Sequence, residues 1–149
     1  MAKILVVEDE WIVADEMCAT LRKMDYLVPP PVSSGEEAIK KIAEEKPDLV
    51  IMDFFLRGKK DGAEVARKIT AKSDIPVIFL TAYSSPDILE RIKLTNPAGY
   101  LVKPFEDNEL KGNIEIALHR HKGDRELRNN YDRLEGKLKT TINAIAEKI

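Results

Sequence analysis

Cysteine is almost absent from this chain. Cys18 is the one thiol among 149 residues, which excludes an internal disulfide framework and makes the cytosol the natural compartment. It lies in a helical pattern and reads as a packing residue. No run of 18 apolar residues occurs, and the first apolar segment turns acidic at Glu8, far short of a secretory leader's hydrophobic region. A soluble, cytoplasmic protein without membrane insertion is expected. Charge of one sign is missing too: 24 Lys and Arg stand against 26 Asp and Glu, a formal net charge of -2. No global electrostatic case exists for direct nucleic-acid binding or for an anionic membrane surface. Residues 1–119 carry a net -5 and residues 120–149 a net +3, the latter read as a solvated helix face.

What is present is a 44% hydrophobic chain, enough for one well-buried core and an appendage and too short for two ordinary domains. Leu49-Val50-Ile51-Met52 is a short apolar run between Lys46-Pro47 and Arg57-Gly58. Such a run predicts a strand buried on both faces, and Asp53 closes it. Ile4-Leu5-Val6-Val7 is a second run of this kind and ends in Glu8-Asp9-Glu10. From Trp11 to Met24 the apolar residues Trp11, Ile12, Val13, Met17, Leu21 and Met24 recur at helical spacing, which predicts an amphipathic helix packed on a sheet. Tyr26 to Val32 is strand-like but holds Pro29, Pro30 and Pro31. Proline cannot donate to a ladder, so this segment is an edge strand or barely a strand.

Ser34 and Glu37 have capping-box spacing ahead of Ala38, Ile39, Ile42 and Ala43, which marks a second helix. Beyond Asp53 a loop to Gly62 leads to a third helix carrying Ala63, Val65, Ala66 and Ile69. Ile75 to Leu80 is the fourth predicted strand and ends in Thr81-Ala82; Ser85-Pro86-Asp87 then starts a helix. Gly99 to Val102 is the last strand, running into Lys103-Pro104, with a fifth helix from near Glu106. Five strand–helix alternations imply an α/β fold, a doubly wound five-stranded parallel sheet of order 2-1-3-4-5. This order leaves the proline-bearing strand at an edge and sets strands one and three side by side at the switch point, so Glu8, Asp9 and Asp53 come together.

Three carboxylates at one sheet edge repel unless a proton or cation lies between them, and oxygen-only ligation suits Mg²⁺. Thr81 offers a hydroxyl to the same crevice and Lys103 a point charge. Singly, each residue has a plain reading as a cap, turn former or loop residue. Jointly they fit an incoming phosphoryl group, with Asp53 as nucleophile.

With these residues placed, the chain resembles the receiver domain of bacterial and archaeal two-component response regulators. The resemblance runs from about Lys3 to His121 and rests on Val6-Val7-Glu8-Asp9-Glu10, Val50-Ile51-Met52-Asp53, Asp61-Gly62, Leu80-Thr81-Ala82-Tyr83 and Gly99-Tyr100-Leu101-Val102-Lys103-Pro104-Phe105. It implies a phosphorylation-controlled switch that accepts phosphoryl from a histidine kinase or phosphotransfer protein. Asp53 is then the phosphoacceptor. Glu8 and Asp9 hold Mg²⁺ with Asp53 and the main-chain carbonyl of Phe55, and Thr81 and Lys103 bind the phosphoryl group. The resemblance also implies a cis Lys103-Pro104 bond. It further implies a switch in which Thr81 moves and Tyr100 turns inward, changing the face of the fourth helix, fifth strand and fifth helix; a fixed, half-buried Tyr100 is the other reading. Phe54 and Phe55 depart from the family's usual pattern, and Phe55 beside the site is expected to restrict an attacking water and slow autodephosphorylation.

Residues 1–121 are therefore read as the receiver and 122–149 as a helical extension leading toward a further domain. Leu127, Tyr131, Leu134, Leu138, Ile142, Ile145 and Ile149 are spaced 4, 3, 4, 4, 3 and 4, a seam close to a heptad with one stutter. Dimeric coiled coil is the favoured reading; the alternative is a helix folded back on the receiver. A homodimer is expected through this helix or through the face of the fourth helix, fifth strand and fifth helix. His119 and His121 read as surface helix residues. Two other functions compete: a pure interaction module, against which the complete acid–Thr–Lys set argues, and a metal-dependent phosphohydrolase, one common type of which needs an acid where Phe55 stands.

Overall fold

The structure, a computed structural model, describes residues 1–56, 62–82 and 85–147. By packing, Met1–Leu118 form one compact unit and His119–Ile149 a second. The first unit holds strands β1 (Ile4–Val7), β2 (Leu49–Asp53), β3 (Val77–Thr81) and β4 (Gly99–Val102). Helices α1 (Trp11–Lys23), α2 (Gly35–Glu45), α3 (Gly62–Lys72) and α4 (Pro86–Leu94) connect them. Helix α5 (Asp107–Glu147) contributes residues 107–118 to this unit and continues in the second. Of the motif residues named above, Asp61 and Tyr83 lie outside the described residues, as does Ile149.

All the described strands pair in parallel in the order β1-β2-β3-β4. Alternation along each strand divides the core between the two faces. Leu5, Val7, Val50, Met52, Val77 and Phe79 face one way, with Ala38, Ile42, Val65 and Ile69 of α2 and α3. Ile4, Val6, Leu49, Ile51, Ile78 and Leu80 face the other, with Met17, Cys18 and Leu21 of α1 and Leu110, Ile114 and Ala117 of α5. Near-continuous apolar runs in the sequence follow from this double burial. Burial also pushes the Cys18 thiol above its usual pKa, consistent with packing rather than chemistry. At the edge of this second cluster the Tyr26 hydroxyl donates to Glu115 Oε1, tying the segment after α1 to α5.

Two sequence expectations change. The predicted second strand is not a strand among the described residues, and the sheet has four where five were expected. It survives as isolated parallel bridges, Lys3 with Leu27 and Val7 with Val32, on the free edge of β1. The reason is the backbone inventory: Leu27 and Val32 donate to Ala2 O and Val6 O at 2.9 and 3.1 Å, while the three intervening prolines have no N–H to offer. On α1, Trp11 and Ile12 are 74% and 72% exposed. The buried stripe is Ala14, Met17, Cys18 and Leu21, so the helical spacing was right and its first two members were not part of the core. The α2 start follows the capping expectation, Glu37 N donating to Ser34 Oγ at 3.2 Å.

Glycines at two helical positions predict opposite effects. A Cβ on Gly35, at the start of α2, would lie 2.2 Å from Cγ2 of fully buried Val65, whereas one on Gly136 meets nothing within 4 Å. Gly35→Ala is expected to lower stability by roughly 1–3 kcal/mol through overpacking. Gly136→Ala is expected to stabilise its stretch of α5 by about 1 kcal/mol. Thermal melts followed by circular dichroism check both signs.

Candidate functional site

Strand register assembles the site. Val7 lies opposite Met52 in the β1–β2 pair, so Glu8, the next residue, arrives beside Asp53. Asp53 is opposite Leu80, and Thr81 is opposite Val102, which brings Lys103 to the same edge. Parallel strands end together, and their carboxyl ends open on the crevice where such sheets bind ligands. The Lys103 N–H donates to the Thr81 carbonyl at 2.8 Å and links the last two contributors.

Ligand oxygens of Glu8, Asp9 and Asp53 all lie within 4.8 Å of one another. Lys103 Nζ donates to Asp53 Oδ2 at 3.1 Å and stands 3.5 Å from Glu8 Oε2. The other Asp53 oxygen, Oδ1, accepts from the Phe55 N–H at 2.9 Å, so the carboxylate is held at both ends. Glu8 is 4% exposed; its Oε1 accepts from the Glu10 N–H at 3.2 Å. Its Oε2 is buried and accepts no hydrogen bond. Thr81 is fully buried at the end of β3. Tyr100, opposite Phe79 in β4, is 40% exposed. The Lys103-Pro104 bond is cis.

The electrostatics are unbalanced. Glu8, Asp9 and Asp53 crowd together beside the Lys103 ammonium, and each like-charge pair at about 5 Å costs roughly 3 kcal/mol at an effective dielectric constant near 20. Burial, and then the neighbouring Asp53 carboxylate, push the Glu8 carboxyl up to about 7, against the Glu10 N–H and the Lys103 charge. Burial acts to lower the Lys103 pKa, but Asp53 and then Glu8 outweigh it and the ammonium stands above its usual value. A cluster of oxygen donors with a buried oxygen lacking a hydrogen bond fits a hard divalent cation.

The two phenylalanines after Asp53 have separate tasks. Phe54 is fully buried, edge-on to Phe79 with ring centroids 5.2 Å apart, and the Arg91 guanidinium of α4 lies 5.2 Å from its centroid. Its N–H donates to Leu80 O at 2.9 Å and its carbonyl accepts from Gly62 N at 3.1 Å; a Cβ on Gly62 would come within 2.6 Å of that carbonyl. Phe55 is 39% exposed beside Asp53. Sequence reasoning missed Arg91, because no local pattern connects a residue of α4 to the turn after β2.

The chain belongs to the response regulator receiver domain family, whose sequence profile matches residues 4–115. Receiver domains work in two-component systems, interact with histidine kinases or phosphotransfer proteins, and typically bind Mg²⁺. Among curated proteins, Transcriptional regulatory protein PdtaR of Mycobacterium tuberculosis (strain CDC 1551 / Oshkosh) is 36% identical over 118 residues, 79% of this chain and 57% of that protein. The chain thus spans little more than half the length of this relative. Among solved structures, the signal receiver domain of a modulated diguanylate cyclase from Desulfovibrio desulfuricans G20 is 33% identical, with a TM-score of 0.78 over 83% of this chain and 98% of that one. A second, described as a yeast Spc42 trimeric coiled-coil segment fused to another structure, is 31% identical with a TM-score of 0.79, covering 97% of this chain and 96% of that one. No helix among the described residues is long and apolar enough to cross a membrane.

The raised Glu8 pKa predicts an unusual pH dependence in magnesium-free buffer. A carboxyl whose pKa rises from 4.5 to about 7 on folding contributes stability that is complete below the unfolded value and is lost as pH rises through the folded one. Glu8→Gln removes this component. The melting temperature of Glu8→Gln is therefore expected to rise relative to wild type between about pH 4.5 and pH 7, and further just above; a constant difference counts against a buried, repelled carboxyl.

Proposed function

We propose that this chain is a phosphorylation-controlled signalling switch in which Asp53 accepts a phosphoryl group from a histidine kinase or phosphotransfer protein. The observation that carries the reading is the Lys103 ammonium, hydrogen-bonded to Asp53 and ion-paired with Glu8 at the crevice edge of the sheet. In the transfer, an Asp53 carboxylate oxygen forms a bond to phosphorus, the phosphorus–nitrogen bond of the donor's phosphoimidazole breaks, and the electron pair leaves with the imidazole. The Phe55 N–H and Lys103 orient the nucleophile. Lys103 and the Thr81 hydroxyl bind the transferred oxygens, and the chain itself thereby supplies the electrostatics of the step. Glu8, Asp9, Asp53 and the main-chain carbonyl of Phe55 would hold Mg²⁺, which when bound neutralises phosphoryl charge.

Thr81, the buried hydroxyl at the end of β3, and Tyr100, half-exposed on β4, are the residues proposed to respond. Their movement changes the face of α4, β4 and α5. A complete swing from 1:99 to 99:1 needs roughly 5.5 kcal/mol of differential interaction between the two states. Residues 1–121 form the switch and 122–149 its helical extension, which pairs as a homodimer. The similarity that extends along 97% of this chain to a protein described as carrying a trimeric coiled coil supports a coiled-coil role for the extension, though not the number of its strands. The working compartment is the cytoplasm, and direct contact with nucleic acid is not part of the reading.

Incubation with acetyl phosphate and Mg²⁺ followed by intact-mass measurement tests the chemistry. One phosphoryl is expected on wild type and none on Asp53→Ala or without Mg²⁺. A missing adduct, with no beryllofluoride binding either, would leave an interaction module as the better description. Phe55 narrows the approach of water, so Phe55→Asn is expected to shorten the phosphoryl half-life severalfold; an unchanged or longer half-life contradicts that role.

A further inference from the structure

Away from the site, the second unit carries one ordered feature. Leu127, Tyr131, Leu134, Leu138, Ile142 and Ile145 are each between 55% and 70% exposed. At 100° per residue they fall in a stripe about 80° wide along α5. Their steps of 4, 3, 4, 4 and 3 are more regular than a heptad with an interruption. Leu127 and Leu138, Tyr131 and Ile142, and Leu134 and Ile145 are pairs separated by eleven residues, and in sequence Ile149 continues the first pair. Eleven residues over three turns is 3.67 per turn, against 3.5 for a heptad and 3.6 for a straight helix. A heptad continued from Leu138 would need its next apolar residue at position 141, which is Thr141; the apolar residue is Ile142.

We infer that this stripe is the seam of a pair of α5 helices from two copies of this chain, wound on an eleven-residue repeat and so slightly right-handed rather than left-handed. The inference deepens the homodimer reading above and rests on it. Area supports a second copy as the occupant. With roughly 200 Å² for a large side chain, the six residues expose on the order of 700 Å² per chain, and two copies together bring about 1,500 Å², within the range of stable interfaces. The steps from Leu127 to Ile149, 4, 3, 4, 4, 3 and 4, read the same in both directions, so a parallel partner in register and an antiparallel partner crossing at Leu138 both match layer with layer.

The test uses the full chain without phosphoryl donor, which keeps it separate from the switch chemistry. Sedimentation equilibrium is expected to give twice the 16.9 kDa chain mass; one or three chains overturns the pair. Single cysteines are then placed at positions 127–146 in a Cys18→Ser background and oxidised with copper phenanthroline. Leu138→Cys is expected to cross-link at least about fivefold more efficiently than Thr141→Cys. Comparable cross-linking at these two positions establishes a heptad and overturns the eleven-residue repeat. Ile142→Asn, which removes no packing from the first unit's core, is expected to weaken association at least about tenfold, and unchanged association overturns the seam. A pair that forms with the wrong cross-link pattern leaves the homodimer reading standing and removes only its geometry.

Discussion

Repulsion among three carboxylates is the constraint on which the rest of this structure depends. Glu8, Asp9 and Asp53 share a space under 5 Å across, with Lys103 bonded to Asp53 and ion-paired with Glu8. A fold tolerates such a cluster only when the surrounding elements hold it in place. Here two buried sheet faces, four strands and the hydrogen bonds of Glu10, Phe55 and Lys103 do so. The same crowding of oxygen donors suits a hard divalent cation. Chemical competence and local instability therefore have one origin.

The packing around Asp53 shows how the cluster communicates with the surface. Phe54 follows Asp53 directly and is enclosed by Phe79 of β3 and covered by Arg91 of α4. Cores are close-packed, so a shift of the turn after β2 is transmitted to whatever lies against Phe54. The neighbouring residue, Phe55, stands half-exposed with its N–H on the Asp53 carboxylate. One aromatic serves the interior and the next the rim. Two adjacent residues of the same type thus divide structural and chemical work in the turn that follows β2.

Much of the fold was legible in the sequence because the sheet is buried on both sides. Runs such as Ile4–Val7 and Leu49–Asp53 need no partner to be recognised, and helix starts at Ser34 and Pro86 follow from local capping chemistry. Legibility failed where neighbours decide. Trp11 and Ile12 fit a helical stripe, but a stripe's phase says nothing about where the sheet's cover ends, and both are exposed. Tyr26 to Val32 has strand composition, yet three missing donors reduce it to two bridges.

By itself the sequence determined the types of the elements, their order, and the acids, hydroxyl and lysine that end the strands, because these depend on periodicity and on residues close in the chain. The residue-by-residue register of β1 on β2, the bonding of Lys103 to Asp53 and its ion pair with Glu8, and the enclosure of Phe54 by Arg91 were decided only by tertiary structure. Each joins residues some forty or more positions apart, or from different elements, and local propensity carries no information about such distances. The physical reason is that strand pairing and core packing choose among many arrangements of the same elements by burial and charge, which act through space rather than along the chain.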